Sequence, residues 1–128
     1  MRLLLDTHIA LWAITDSPAL SAEARRYILA PNNEVYVSAA SIWEISIKHG
    51  LGRGNMPISG HEAADYFTQA GYMTLDISCQ HATYVETLPE HHADPFDRML
   101  VAQALSEPMR LLTHDKIVAA YSDTVILV

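Results

Sequence analysis

Short apolar runs alternate along the chain with stretches in which apolar residues recur at helical spacing. The runs are typical of parallel strands buried on both faces, and the periodic stretches are typical of the helices that cover such strands. The predicted strands are 2–6, 34–38, 72–77, 109–113 and 124–128. The predicted helices are 8–14, 22–29, 38–49, 61–70, 80–88, 95–106 and 116–121.

This alternation predicts an α/β fold, with a central parallel sheet of about five strands and helices on both of its faces. Residues 50–60 contain four glycines and Pro57, which predicts a loop. Asp94 and Pro95 have the residue types of a helix N-cap and a first helical position. No linker rich in Pro, Gly or Ser divides the sequence, so we expect residues 1–128 to form a single domain.

The charge balance restricts how the protein could bind a nucleic acid. Eight Lys and Arg residues against 15 Asp and Glu residues give a formal net charge of −7, which excludes recognition through a broad basic face. A polyanionic substrate would therefore need help from a metal ion.

Compartment and redox chemistry follow from the same composition. The single cysteine, Cys79, excludes an internal disulfide, and residues 3–5 are too short an apolar run for a signal peptide. No stretch approaches the roughly 20 apolar residues of a membrane helix. We therefore expect a cytoplasmic protein with no membrane span.

Four acidic residues are expected to meet at one edge of the predicted sheet. Asp6 and Asp115 follow apolar strands, and open parallel sheets bind ligands beyond the carboxyl ends of their strands. Glu44 lies in an otherwise apolar helix, and Asp97 lies near the start of another helix. These four residues are the candidate catalytic and metal-binding groups.

Electrostatics indicates what such a cluster would bind. Two carboxylates about 4 Å apart repel by roughly 4 kcal/mol at an effective dielectric constant of 20, so four of them either take up protons or bind a cation. Oxygen ligands without a nearby cysteine favour Mg²⁺, with Mn²⁺ as a substitute, over Zn²⁺. The leading hypothesis is a phosphodiesterase in which the metal activates water and neutralises phosphate charge.

Each acid also has a purely structural interpretation. Asp6 and Asp115 could cap the helices that follow them. Glu44 could pair with Lys48 at the favourable i,i+4 spacing. Asp97 could pair with the adjacent Arg98 or stabilise the N-terminus of its helix. The conjunction of all four acids favours the functional interpretation.

Seven histidines raise the alternative of a zinc site, with His91 and His92, or His8 and His114, as the first candidates. Adjacent histidines do not easily present both rings to one ion, and no cysteine supports these pairs. We therefore interpret the histidines as solvated side chains rather than metal ligands.

Hydroxyl and aromatic side chains near the acids leave further interpretations open. Thr7 and Thr113 could contact a phosphate or a metal-bound water, and they could equally satisfy a turn. Trp12 and Trp43 recur with Ile and Leu at helical spacing, which predicts core packing rather than base stacking.

The residues around the acids form runs that occur together in a known family. The most specific run is Asp-Pro-Phe-Asp-Arg at 94–98 with Ala-Gln-Ala at 102–104, and the full set is Leu4–His8, Val37–Ile45, His91–Ala104 and Leu112–Asp115. In order and over nearly the whole chain, they resemble the PIN-domain ribonucleases, and specifically the VapC toxins of bacterial type II toxin–antitoxin systems.

The resemblance implies a PIN-like fold and a Mg²⁺-dependent endoribonuclease that acts on RNA. It also implies a homodimer and inhibition by a small cognate antitoxin of the VapB type. By their positions in the motifs, Asp6, Glu44, Asp97 and Asp115 look like the family's acidic quartet. Asp94, three residues before Asp97, is open to two roles, a helix cap and a metal neighbour.

A negatively charged pocket also predicts how such an antitoxin would bind. A basic side chain of the partner could occupy the pocket in place of Mg²⁺. We expect the rest of the partner to dock on apolar surface of helices 8–14 and 22–29, next to Asp6.

Two other classes of protein share parts of this pattern. A phospho-acceptor signalling receiver also binds Mg²⁺ on an α/β fold, but it needs an acidic pair after its first strand, where this chain has Asp6 and Thr7. It also needs a lysine after its last strand, and residues 124–128 bring none. A catalytically dead interaction domain is disfavoured because all four acids are present.

Overall fold

The structure, a computed structural model, describes residues 1–52 and 56–128. Its central sheet is parallel throughout. Within these residues it has five strands in the order β3-β2-β1-β4-β5. Leu3, Leu4 and Leu5 of β1 pair with β2 on one side and with β4 on the other. The strands are β1 Arg2–Leu5, β2 Glu34–Ser38, β3 Met73–Leu75, β4 Arg110–Thr113 and β5 Ile126–Leu127.

Helices connect the strands and cover both faces of the sheet. Their bounds are α1 Thr7–Ile14, α2 Ala22–Leu29, α3 Ala39–Gly50, α4 Gly60–Gln69, α5 Cys79–Tyr84, α6 Pro95–Ser106 and α7 Lys116–Ala119, with a 3₁₀ helix at Val85–Thr87 after α5.

The core has two layers because successive residues of a strand point to opposite faces of the sheet. Leu3 and Leu5 contribute to a buried cluster with residues of α1, α2 and α4. Leu4 faces the other way and packs with buried residues of α6 and α7, among them Leu100 and Val118. The predicted α/β fold, with a parallel sheet between two helical layers, is confirmed.

The sequence predicted the edge elements less well than the central ones. The predicted strands 72–77 and 124–128 shorten to Met73–Leu75 and Ile126–Leu127, which lie at the two edges of the sheet, where a strand has a partner on one side. The predicted helix 80–88 begins at Cys79 and tightens into the 3₁₀ helix from Val85. Residues 53–55 of the predicted loop 50–60 lie outside the described residues.

The strand order also separates this fold from the signalling-receiver alternative. Receivers of that type have the flavodoxin-like order 2-1-3-4-5. Here β1 rather than β3 is the central strand, and β2 separates β1 from β3. In the part of the chain that the structure describes, no helix is long and apolar enough to cross a membrane.

Candidate active site

The direction of strand succession reverses between β1 and β4, which are neighbours in the sheet. In open α/β sheets a crevice forms at this point, beyond the carboxyl ends of the strands. A cleft of about 680 Å³ lies there. Its acids are Asp6, Glu44, Asp94, Asp97 and Asp115, and its other lining residues are His8, Trp12, Lys48, His92, His114 and Lys116.

Asp6 directly follows β1 and is buried, with 6% of its surface exposed. One carboxylate oxygen, Oδ1, accepts a hydrogen bond from the backbone N–H of His8 at 3.0 Å, which caps α1 as the structural interpretation required. The other, Oδ2, accepts from the Thr113 hydroxyl at 2.6 Å. Burial raises the pKa of Asp6, and the bond from Thr113 opposes that rise.

Glu44 reaches the cleft from α3 and is also buried. Its Oε1 accepts a hydrogen bond from the Thr7 hydroxyl at 2.8 Å, and its Oε2 pairs with Lys48 one helical turn later. Burial lowers the pKa of Lys48, but the bond to Glu44 and the nearby acids more than compensate and raise it overall. The Glu44–Lys48 pair therefore exists, and it lies in the cleft rather than on a solvated helix face.

The N-terminus of α6 brings two acids into the cleft with different roles. Asp94 is the N-cap of α6, and its Oδ1 accepts from the backbone N–H groups of Phe96 and Asp97 at 2.8 and 3.1 Å. Asp97 lies in the first turn of α6, and its carboxylate faces the other acids and the imidazole of His92. The capping role expected for Asp94 is thus present, and the residue also lines the cleft.

Asp115 follows β4 and caps α7 through Oδ1, which accepts from the backbone N–H of Ile117 at 2.8 Å. Its backbone N–H donates to the Thr113 hydroxyl at 3.1 Å. Thr113 thereby links Asp115 to Asp6. Its hydroxyl both accepts a hydrogen bond within the turn after β4 and donates one to a carboxylate of the cleft.

Burial and the neighbouring acids act together on Asp97. Burial and the charges of Asp94, Asp6 and Glu44 raise the pKa of Asp97 to about 7, and only the nearby imidazole of His92 acts in the opposite direction among the causes resolved for it. Carboxylates that resist ionisation in this way are stabilised by a cation. With carboxylate oxygens as its main donors, the cleft fits Mg²⁺ or Mn²⁺ better than Zn²⁺.

One residue of the cluster was missed at the sequence level. His92 was interpreted as a solvated loop histidine, but its Nε2 lies 3.2 Å from Asp97 Oδ2 and 3.2 Å from Asp115 Oδ2. His92, Asp97 and Asp115 also form a group whose ligand atoms lie within 4.8 Å of one another. The available signal was its position two residues before the helix cap Asp94.

The structure corrects two further expectations. Trp43 is 57% exposed rather than in the core, and it contacts Phe96 edge to face with ring centroids 5.0 Å apart. Trp12 is half-buried, packs against the core as predicted, and also lines the cleft. Arg98 does not pair with Asp97; its guanidinium donates to the carbonyls of Pro89 and Val85.

Comparisons with known proteins agree with this architecture. The PIN domain family profile matches residues 3–123. VapBC2 from Rickettsia felis bound to a DNA fragment from their promoter contains a chain similar over 100% of this chain and 98% of its own length, with TM-score 0.71 and 21% identity. VapBC-1 from nontypeable Haemophilus influenzae contains a chain that is similar over 100% of this chain and 97% of its own length, with TM-score 0.68 and 23% identity.

A toxin–antitoxin complex from Klebsiella pneumoniae is similar over 97% of this chain and 95% of its own chain, with TM-score 0.66 and 17% identity. A comparison with curated proteins gives no match. At such identities the solved structures establish a common fold, while the family profile covers nearly the whole chain. The resemblance indicated by the sequence motifs is therefore confirmed, and the chain belongs to the PIN domain family.

Proposed function

We propose that the protein is a Mg²⁺-dependent endoribonuclease and the toxin of a toxin–antitoxin pair. The observation that carries this proposal is the convergence of Asp6, Glu44, Asp97 and Asp115 on one cleft at the carboxyl ends of β1 and β4. Membership of the PIN domain family and the likeness to chains of VapBC complexes support it.

In this proposal the four acids hold the metal, with Mn²⁺ as an effective substitute and Asp94 beside them. When bound, the metal supplies Lewis-acid activation of water and neutralises charge on the scissile phosphate. The carboxylates are already oriented for this task by Thr113 at Asp6 and by Thr7 at Glu44. Thr7 and Thr113 are therefore proposed as supports of the acids rather than as phosphate ligands.

The cationic side chains of the cleft have a separate role. Lys48 is paired with Glu44, whereas Lys116 lines the cleft and offers a positive group to a phosphate backbone, which the net charge of −7 otherwise repels. Arg98, in contrast, is engaged by the backbone carbonyls of Pro89 and Val85 and stabilises the segment that precedes α6.

RNA cleavage by the purified chain tests the proposal. We expect cleavage with Mg²⁺ or Mn²⁺, none with EDTA, and none from Asp6→Asn, which removes a charge while keeping the shape of the side chain. Asp65→Asn, an exposed substitution on α4, is the matched control and keeps full activity. Cleavage that survives both the chelator and Asp6→Asn overturns the proposal.

The partner proposed for this toxin is a VapB-like antitoxin that places a basic side chain in the acidic cleft. Beside that cleft, α1 contributes Leu11 and Trp12 to a groove of about 210 Å³. The exposed surface of α2, however, carries Glu23 and Arg26 along with Leu29, so it offers less apolar area than the sequence predicted. The α1 side of the expected docking surface is the better supported part.

We also propose that the protein is a homodimer. Trp43, Ile47 and Leu51 follow one another at intervals of four residues along α3 and its C-cap, and all three are exposed. An exposed apolar stripe of this kind is typical of an interaction surface. A second copy of the chain is the occupant that we propose for it.

A further inference from the structure

His92 bridges two of the proposed metal ligands, and its hydrogen bonds define which ring nitrogen carries the proton. The backbone N–H of Asp94 donates to Nδ1 of His92 at 3.1 Å, and a backbone N–H has no acceptor role. Nδ1 is therefore unprotonated, and in the neutral ring the proton lies on Nε2. This N–H donates to Asp115 Oδ2 at 3.2 Å. Asp97 Oδ2 lies at the same distance, 3.2 Å, from Nε2.

The same protonation pattern argues against a role for His92 as a ligand. A metal bound to Nε2 would use the lone pair of that nitrogen, so the proton of the neutral ring would lie on Nδ1. An Nδ1–H would then face the backbone N–H of Asp94, and two donors cannot form a hydrogen bond with each other. Nδ1 itself is already occupied as an acceptor. His92 is thus arranged to donate to carboxylates rather than to coordinate an ion.

The loop that carries His92 is fixed on its outer side. The Tyr121 hydroxyl accepts the backbone N–H of His92 at 2.8 Å and a guanidinium N–H of Arg98 at 3.0 Å. Arg98 also donates to the carbonyl of Pro89 at 2.9 Å. These bonds hold the backbone of His92, and the bond from the Asp94 N–H to Nδ1 holds its ring.

From this geometry we infer that His92 is a positioning residue: its Nε2–H donates to Asp115, lies against Asp97, and so holds these two carboxylates side by side in the cleft where the metal would bind. The inference deepens the proposed function and rests on it. Hydrogen-bond donors behind metal ligands orient those ligands, and their loss typically reduces metal affinity about 10- to 100-fold. The donor here comes from neither strand nor helix but from the loop before α6.

Mn²⁺ binding by calorimetry tests this role with the full chain. His92→Phe keeps a ring and removes the donor, and we expect its Mn²⁺ affinity to fall about 10- to 100-fold. His92→Gln places an amide N–H near the position of Nε2, and we expect an affinity within about threefold of the wild type. His91→Phe is the matched control, because His91 is exposed and packs against Tyr121; its affinity is expected to stay unchanged.

The outcomes separate the positioning role from the proposed function. Weak Mn²⁺ binding by His92→Phe together with rescue by His92→Gln supports the inference. Equal binding by His92→Phe and wild type overturns it, and so does a His92→Gln variant as weak as His92→Phe. If the wild type itself binds no Mn²⁺, the proposed metal-dependent function fails instead.

A second pair of variants keeps the test decisive if His92→Phe does not fold. The amide of His92→Asn lies near the Nδ1 position and is too short to reach the carboxylates, whereas that of His92→Gln reaches them. We expect His92→Asn to bind Mn²⁺ at least tenfold more weakly than His92→Gln. Equal affinities of these two amides overturn the inference.

Discussion

Asp97 is placed where an ionised carboxylate is unfavourable, since it is largely buried and shares the cleft with Asp94, Asp6 and Glu44. In the metal-free protein its pKa of about 7 lies well above the ordinary 3.8. The folded state therefore retains a proton that the unfolded chain releases, so the stability of the metal-free fold falls as pH rises between these two values. The acid is retained at a cost in stability, which is common at functional sites.

We expect Asp97→Asn to stabilise the metal-free protein at pH 7.5, because it removes a charge that the neighbouring acids repel. The melting temperature should rise by roughly 5 °C or more, and its decline between pH 5 and pH 7.5 should become shallower. Thermal unfolding in EDTA at both pH values measures this effect. Asp65→Asn, at an exposed position on α4, should change neither quantity. If Asp97→Asn has a lower melting temperature than the wild type at pH 7.5, the ionised Asp97 carboxylate does not destabilise the metal-free fold.

At this scale the sequence predicted the acids better than their partners. Asp6 and Asp115 could be placed because a strand end fixes the position of the next residue regardless of distant contacts. His92 could not, since its contacts with Asp97 and Asp115 depend on a loop whose backbone is held by Tyr121 and Arg98. Trp43 was assigned to the core because apolar periodicity does not reveal which face of a helix remains exposed.

The helix α3 serves two surfaces at once. Glu44 faces the cleft, whereas Trp43, Ile47 and Leu51 are exposed. Apolar residues of α3 therefore lie on an exposed face as well as on the face that is buried in the protomer. This second apolar face is the physical basis for the proposed dimer.

We expect Leu51→Glu to convert the dimer into a monomer, because it places a charge in the apolar stripe of α3. Light scattering of the purified chain measures the change in mass. Leu51 is 61% exposed, so the melting temperature of the monomeric fold should change little. Leu29→Glu, at a 77% exposed leucine on α2, is the control and should leave the mass unchanged. A Leu51→Glu chain of unchanged dimeric mass would exclude this face as the dimer surface.

Central elements were predictable because their burial leaves a strong apolar signature. Strands β1 and β4 are flanked by partners on both sides, and their leucines are fully buried. The short edge strands β3 and β5 are weaker cases, because their lengths depend on pairing with β2 and β4 rather than on local pattern. The register that brings Thr113 to Asp6 likewise follows from pairing across the sheet.

At the scale of the whole molecule, a substitution in the cleft should abolish toxicity without impairing folding. We expect expression of the wild-type chain alone to arrest growth of a bacterial host, whereas Asp97→Ala should be tolerated at equal soluble yield. Loss of this acid removes repulsion from the cleft rather than support from the core. Growth curves with quantified soluble protein test this expectation, and Asp65→Ala should arrest growth like the wild type. Harmless expression of wild-type protein at equal soluble yield would argue against a toxin.

The bond between Thr113 and Asp6 joins residues 107 positions apart, and β4 completes the sheet beside β1. A ribosome that has synthesised the first hundred residues has therefore made Asp6, Glu44 and Asp97 without the strand that aligns them. Asp115 and the hydroxyl that orients Asp6 emerge later still. Nascent chains and N-terminal fragments that stop before β4 are consequently without the assembled cleft.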